Sequence, residues 1–295
     1  MNSRSPASSI LLTIDVEDWF QVENFKQCLP FSSWAGCELR VEKNTHHILD
    51  LLDSINPTNS PKATFFVLGW IAQRLPHLVR EIQNRGHEVA SHGYYHRLCR
   101  KEPVEDLKRD LINSKKLLED ITGFPVYGYR APSFSINHDI LRMIEECRYL
   151  YDSSFNSFGL NKRYGQVELD SNSRNNIACK VSDTFYELPI SNLRLGKYEL
   201  PWGGGGYFRL IPLLLFKKGV QAILRRNGTY LFYLHPWEID ARQPVVSEAP
   251  MFYKFRHYAN LNKTLYKLSS FIESFKDCNF FTCNQYLKRN SEHIL

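Results

Sequence analysis

The sequence has no C-x-x-C pair. Its seven cysteines (Cys28, Cys37, Cys99, Cys147, Cys179, Cys278 and Cys283) are an odd number and lie scattered. That argues against a disulfide scaffold and for reduced thiols in a reducing compartment. No stretch approaches the ~20 apolar residues of a membrane-spanning helix. The apolar run near the N-terminus reaches only from Ile10 to Ile14 before Asp15 interrupts it. It is too short for the core of a signal peptide and reads as a first core strand. No long block of Lys and Arg marks a nucleic-acid-binding arm, and the net charge of +6 is spread along 295 residues. Weak attraction to anionic glycans or to a membrane surface is compatible with that balance. There is no internal repeat, no low-complexity tract and no Pro/Gly/Ser linker. The expectation is a single cytoplasmic domain over 1–295, elaborated from about residue 156, with no transmembrane segment and no nucleic-acid partner.

What is present is an alternation of short apolar runs with amphipathic stretches. SILLTID, KATFFVLG, HEVAS, VYGYR, YLYDSS and TYLFYLHP read as strands. VEKNTHHILDLLDSI places Val41, Ile48, Leu51, Leu52 and Ile55 at near-helical spacing. Pro76 opens a helix that Gly86 closes, and a long helix ends at Gly123. Ser135 or Asn137 can cap the helix INHDILRMIEECR. Residues 156–185 are polar and read as loop. Strands alternating with helices predict an α/β fold with a parallel sheet or barrel.

In such folds, functional groups gather at the carboxyl ends of strands. Four strand ends here carry polar groups: Asp15, Glu17 and Asp18 after the first, His92 and His96 after HEVAS, Arg130 after VYGY, and His235 after TYLFYL. Each alone has an ordinary explanation as a cap, a solvated turn residue or a hydrogen-bonded core group. Together they make a reactive set. Two imidazoles four residues apart can face one ion if the turn between them is helical. One carboxylate completes a three-ligand site with room for water. A second carboxylate can take a proton from that water, with an arginine to hold it in place. A histidine opposite can protonate a leaving group. Such a set hydrolyses an amide or an ester.

The order of these motifs resembles the polysaccharide deacetylase family, the NodB-homology or family-4 carbohydrate esterases. TIDVED at 13–18, SHGYYH at 91–96, YRAPSF at 129–134, WGGGGYF at 202–208 and YLHPW at 233–237 correspond to the family's five motifs. The DVED opening, the WGGGGYF loop and the HPWE ending are most similar to a branch from exopolysaccharide and exosortase-linked loci that carries a C-terminal extension. The resemblance implies a distorted (β/α) barrel. It implies Asp15 as general base, His92 and His96 as ligands of a divalent metal, commonly zinc, and Arg130 as the group that orients Asp15. It further implies a backbone N–H near Ser133 for the oxyanion, His235 as general acid, and Trp202, Tyr207 and Leu234 as walls of the acetyl pocket. The implied substrate is an N-acetylated glycan of a bacterial polysaccharide or its lipid-linked precursor, met in the cytoplasm or at the inner membrane.

The sequence departs from the family pattern at Val16, where a second Asp is usual. The metal carboxylate then comes from Glu17 or Asp18, and the shorter, stiffer reach of Asp18 favours it. The acid that tunes His235 is Asp152 or Glu238. The WGGGG run is expected to let a sugar approach the backbone while Tyr207 and Phe208 stack on it. Two other readings use the same residues: hydrolysis of a small amide, as in allantoinase-like relatives, and an inert glycan-binding protein.

Overall fold

The computed structural model describes residues 8–56, 60–159, 163–165, 167–169, 174–175 and 177–290. In chain order the elements begin with β1 (Ser9–Val16), α1 (Val41–Ile55), β2 (Ala63–Val67), α2 (Gly69–Arg74), α3 (Pro76–Asn84), β3 (Glu88–Ser91), α4 (Val104–Thr122), β4 (Gly128–Tyr129), α5 (His138–Glu146) and β5 (Tyr151–Asp152). They continue with β6 (Arg174–Asn175), β7 (Ala178–Lys180), β8 (Tyr186–Glu187), β9 (Leu193–Leu195), β10 (Tyr198–Leu200), α6 (Gly205–Leu210) and α7 (Leu213–Asn227). The chain ends with β11 (Thr229–Leu234), α8 (Met251–Tyr258), α9 (Leu261–Ser274), β12 (Asn279–Phe280) and α10 (Cys283–Asn290).

The apolar runs form the sheet because every residue of β1 after Ser9, and all of β2 and β11, are buried. A strand covered on both faces has no solvent side to make polar. The strand order is β11-β1-β2-β3-β4-β5-β8-β7-β6, parallel from β11 to β8 and antiparallel beyond. The sheet curls, and irregular backbone brings its far side back to β11. Leu231 N–H donates to Ser191 Oγ at 2.9 Å, and Tyr233 N–H donates to Gly203 O at 2.8 Å. The result is a mixed α/β fold built on a curled half-barrel, a distorted form of the (β/α) barrel.

That seam explains the glycine run. A Cβ at Gly203 would sit 2.6 Å from Ser191 O, and one at Gly204 would sit 2.5 Å from the Tyr233 ring. Gly203 and Gly204 admit the close approach of the Ser191 backbone and of the Tyr233 ring, and Phe208, expected to stack on a sugar, lies fully in the core. The alternation also misses elements. The described parts of 156–185 contain the β6–β7 hairpin, while residues 160–162, 166, 170–173 and 176 of that expected loop lie outside the described residues. The helices α8 and α10 lie where no helix is expected from periodicity. All seven cysteines are free thiols. Asn137 rather than Ser135 caps α5, its Oδ1 accepting the Ile140 N–H at 2.8 Å.

Because β1, β3, β4 and β11 run parallel, the residues that follow them emerge at one end of the barrel. That end holds Asp15, His92, Arg130 and His235.

Candidate active site

The first cluster is built by two turns. The β1 strand ends at Val16, and the chain turns there, with Glu17 N–H donating to Asp15 O at 3.0 Å. Glu17 stays over the strand end. Asp18 is carried to the first turn of α1, where Oδ2 accepts the N–H groups of Arg40 (2.7 Å) and Val41 (2.9 Å) and Oδ1 accepts that of Trp19 (2.8 Å). The expectation that favoured Asp18 as a metal ligand is therefore corrected: its oxygens are occupied by backbone donors that a helix N-terminus must place somewhere. Burial pushes its carboxyl up to about 6 against those three donors.

The turn between the histidines is not helical. Gly93 has φ +70° and His96 φ +49°, so the chain reverses tightly around Tyr94 and Tyr95. A Cβ at Gly93 would meet Asp110 Oδ2 at 2.8 Å, and that oxygen accepts the Tyr94 N–H at 3.0 Å. The imidazoles still meet, with ring centroids 5.3 Å apart. Donor atoms of Glu17, His92 and His96 all lie within 4.8 Å of one another, and all three residues are buried. His92 Nδ1 is 2.8 Å from Arg130 O. A carbonyl only accepts, so Nδ1 carries the proton and Nε2 keeps its lone pair. Glu17 Oε2 makes no hydrogen bond although His96 Nε2 is 2.7 Å away. A buried carboxylate oxygen without a hydrogen bond, set beside two imidazole nitrogens, is a donor set that suits a divalent cation. Burial works to raise the Glu17 pKa, but His96, His235 and His92 hold it well below the usual carboxylate range. Burial lowers His92 to about 4, which keeps it neutral.

Beside this group, Asp15 Oδ1 accepts from Arg130 Nη1 at 2.7 Å. The guanidinium is fully buried and otherwise spent on protein: Nη1 to Thr13 Oγ1 (2.7 Å), Nε to Ser153 O (2.8 Å) and Nη2 to Ser153 Oγ (2.8 Å), with the plane 4.1 Å over Phe66. A planar cation held at four points fixes one rotamer of Asp15.

Opposite lies His235. Its Nε2 is 3.9 Å from Asp15 Oδ2 and 3.4 Å from Glu17 Oε1, and its Nδ1 is 2.8 Å from Glu238 Oε1. Glu238 is itself held by Arg209 Nε at 2.8 Å through Oε2. Burial alone would lower the His235 pKa; Glu17, Glu238 and Asp15 together raise it to about 9. Of the two acids open for this contact, Glu238 makes it. Asp152 instead pairs with Glu187 behind Arg130, and burial raises both of those carboxyls. Trp237 stacks between His235 (5.2 Å) and His257 (4.1 Å) and donates Nε1–H to Glu17 Oε1 at 3.2 Å.

Asp15, Glu17, His92, His96, His235 and Glu238 line one cavity of about 340 Å³, which Ser133, Tyr207 and Tyr233 also face. Ser133 adopts φ +53°; the neighbouring N–H groups of Ala131 and Phe134 are taken by Ser154 Oγ and Ala131 O. Two expected wall residues are corrected. Trp202 stacks on Phe216 at 5.6 Å and donates Nε1–H to Phe216 O, and Leu234 is wholly buried in the apolar core. Both alternate away from the cavity, and Tyr233 faces it instead. Sequence reasoning also missed Arg209 and Trp237; a lone arginine inside the apolar run YFRLIPLLLF was the signal for the first.

The geometry has counterparts. A family model described as "Polysaccharide deacetylase" matches residues 4–151, and one described as "Domain of unknown function (DUF3473)" matches residues 153–288. The chain is 28% identical over 149 residues to the "Peptidoglycan deacetylase-like protein FGM2" of Gibberella zeae, covering 49% of this chain and 43% of that one. It is 31% identical over 105 residues to a "Peptidoglycan-N-acetylglucosamine deacetylase" of Bacillus cereus, covering 36% and 47%. The match thus spans less than half the length of these relatives. Among solved structures, Puue allantoinase superposes with a TM-score of 0.61 at 13% identity, covering 99% of this chain and 95% of that one. The Bc1960 peptidoglycan N-acetylglucosamine deacetylase superposes at 0.52 and 16% identity, covering 96% and 89%. At such identities the two structures speak for the fold alone. The family model covers half the chain, and Asp15, Glu17, His92, His96 and Arg130 all fall inside it: the chain belongs to the polysaccharide deacetylase family.

Proposed function

We propose that this protein hydrolyses the acetamide of N-acetylated amino sugars in a bacterial polysaccharide or its lipid-linked precursor, releasing acetate, with a divalent metal such as zinc. The observation that carries this reading is the convergence of Glu17, His92 and His96 within 4.8 Å, next to Asp15 and His235 in one cavity. Those three residues would hold the ion. Once bound, it would supply a Lewis acid for the carbonyl and for water.

The chain's own groups do the rest. Asp15, pinned by Arg130, accepts the proton of the attacking water. In this reading the backbone N–H of Ser133, a residue of the cavity lining, donates to the oxyanion, a type of contact worth roughly 3–4 kcal/mol. His235, its Nε2 3.9 Å from Asp15 Oδ2 and its ring oriented by Glu238, gives its Nε2 proton to the departing amine. Tyr207 and Tyr233 bound the acetyl group. Asp15 and Arg130 belong to residues 4–151 and His235 and Glu238 to residues 153–288, so the reading treats 1–295 as one working domain.

A polymer suits this site better than a small amide. The cavity shares Val22, Glu23 and His96 with a neighbouring cavity of about 280 Å³ lined by Phe31, Trp34 and Tyr95. It shares Glu23, Asn24, Arg163 and Tyr253 with another of about 580 Å³. The space that continues beyond the reacting position, around Glu23, accommodates further sugars. The test is acetate release from N-acetylated oligosaccharides, together with metal analysis. His92→Ala should lose both metal and acetate release; Asp15→Asn should keep the metal and lose the rate. Undiminished acetate release from either variant would overturn the assignment.

A further inference from the structure

The helix α8 has two unlike faces. Tyr253, Arg256 and His257 line the catalytic cavity, whereas Met251, Phe252 and Phe255 are 76%, 68% and 62% exposed. The adjoining wall of the cavity behaves the same way. Gly206, Tyr207 and Arg209 of α6 face inward, and just beyond them Leu214 and Leu215, in the first turn of α7, are 71% and 54% exposed. The two segments are sewn together. Arg209 Nη1 donates to His257 O at 2.9 Å and Nη2 to Arg256 O at 2.9 Å, while Asn260 Nδ2 donates to Arg209 O at 3.1 Å. Five large apolar side chains therefore stand in water on the two linked elements that form the cavity's walls. A folded chain gains nothing from that placement unless something covers them.

The charge of these elements says what covers them. From Leu200 to Trp237 there is no Asp or Glu, only Arg209, Lys217, Lys218, Arg225 and Arg226. From Ala249 to Ile272 there is again none, only Lys254, Arg256, Lys263 and Lys267. Of these, Lys218, Arg225, Arg226 and Lys263 are exposed. A second copy meeting this face with its own would set like charge on like. An anionic lipid surface matches both features, with apolar side chains entering the acyl boundary and cations at the headgroups. No helix among the described residues is long and apolar enough to cross a membrane, so such attachment is interfacial.

We propose that α8 and the start of α7 dock this protein onto an anionic phospholipid surface, with the catalytic cavity opening beside the contact. The inference stands on exposure and charge and does not require the deacetylase reading. The test is co-sedimentation of the full chain with phosphatidylcholine vesicles and with phosphatidylcholine–phosphatidylglycerol vesicles, at low and high salt. The expected result is binding to the mixed vesicles only, weakened by salt. It should also be weakened on the order of tenfold or more in Phe252→Ser/Phe255→Ser and in Leu214→Ser/Leu215→Ser. These side chains are more than half exposed and none of them lines the cavity, so circular dichroism and acetate release from soluble oligosaccharides should match wild type. Three results would overturn the proposal: no binding to either vesicle; binding that both double variants retain; or a wild-type dimer by light scattering that the double variants dissociate.

Discussion

Glu238 Oε1 lies 2.8 Å from His235 Nδ1. That contact leaves only Nε2 of the imidazole to face the cavity, and Arg209 holds the carboxylate from the other side. The ring's orientation is thus decided by two buried residues paired with each other. Glu238→Gln should leave the bound metal and KM unchanged, because Glu238 contacts neither Glu17, His92 nor His96. It should lower kcat for acetate release by up to about 10²–10⁴-fold, the whole contribution of a positioned proton donor. Metal content and steady-state kinetics on one sample check both halves. Loss of the metal would mean that Glu238 supports the ligands and not the acid.

Glu17 and Asp18 are adjacent in sequence, and their variants should separate cleanly. Glu17→Gln removes the carboxylate of the candidate metal site and should strip the metal with little effect on the metal-free fold. Asp18→Ala removes the acceptor for the Arg40 and Val41 N–H groups at the start of α1 and for that of Trp19, a loss of ~1–3 kcal/mol in stability. It should keep the metal in the fraction that stays folded. Urea unfolding and elemental analysis on the two variants, run side by side, decide the matter; a reversed pattern would return the ligand role to Asp18.

Much of this site was legible because the physics of a parallel sheet is legible. A run such as ILLTI or YLFYL must be buried on both faces, and the first polar groups after it must emerge at the barrel's end. That placed Asp15, His92, Arg130 and His235 without knowledge of any contact. The choice between Glu17 and Asp18 was not legible, since it depends on a single turn whose hydrogen bond to Asp15 O leaves no mark in the sequence. The strand pleat likewise put Tyr233, and not Leu234, on the cavity side. Arg209 escaped notice because its partners are Glu238 and three carbonyls at the C-terminal end of α8, distant in sequence. The α8 helix, MFYKFRHY, escaped because its apolar residues do not all face the core, so the usual amphipathic pattern is broken.

His87 gives the fold a pH dependence separate from the active site. It is 2% exposed; Nδ1 accepts the Ala63 N–H at 3.2 Å, and Nε2 has no partner. Burial, with Lys62 and Arg85 nearby, lowers its pKa to about 4 from an ordinary 6.5. Above pH 6.5 both folded and unfolded chains hold it neutral, and its contribution is constant. Between about 6.5 and 4 only the unfolded chain takes up the proton, so stability falls as pH falls, by about 1.4 kcal/mol per unit and about 3 kcal/mol in all. Below that range both states are protonated and the loss levels off. His87→Asn keeps an acceptor for Ala63 and removes the titration. The stability difference between wild type and variant should therefore shrink or reverse by about 3 kcal/mol from pH 7.5 to pH 4 in urea unfolding. A difference independent of pH would place the proton elsewhere.

The two glycines that open α6 should respond to alanine in opposite ways. In an ordinary helix either replacement would stabilise by up to about 1 kcal/mol, since alanine loses less backbone entropy. Gly206 has nothing within 4 Å of where its Cβ would stand, so Gly206→Ala should keep or raise the melting temperature. Gly205 is different: its Cβ would fall on the Glu238 carboxylate. That carboxylate cannot retreat without leaving His235 Nδ1, Arg209 Nε or both, and Glu238 and Arg209 are both buried in wild type. Gly205→Ala should therefore lower stability despite its better helix propensity, and should cost kcat in the same direction as Glu238→Gln. Thermal melts and acetate-release kinetics on both variants provide the comparison. If Gly205→Ala melted like Gly206→Ala and turned over at the wild-type rate, then the packing of Glu238 against α6 would not be what holds His235 in place.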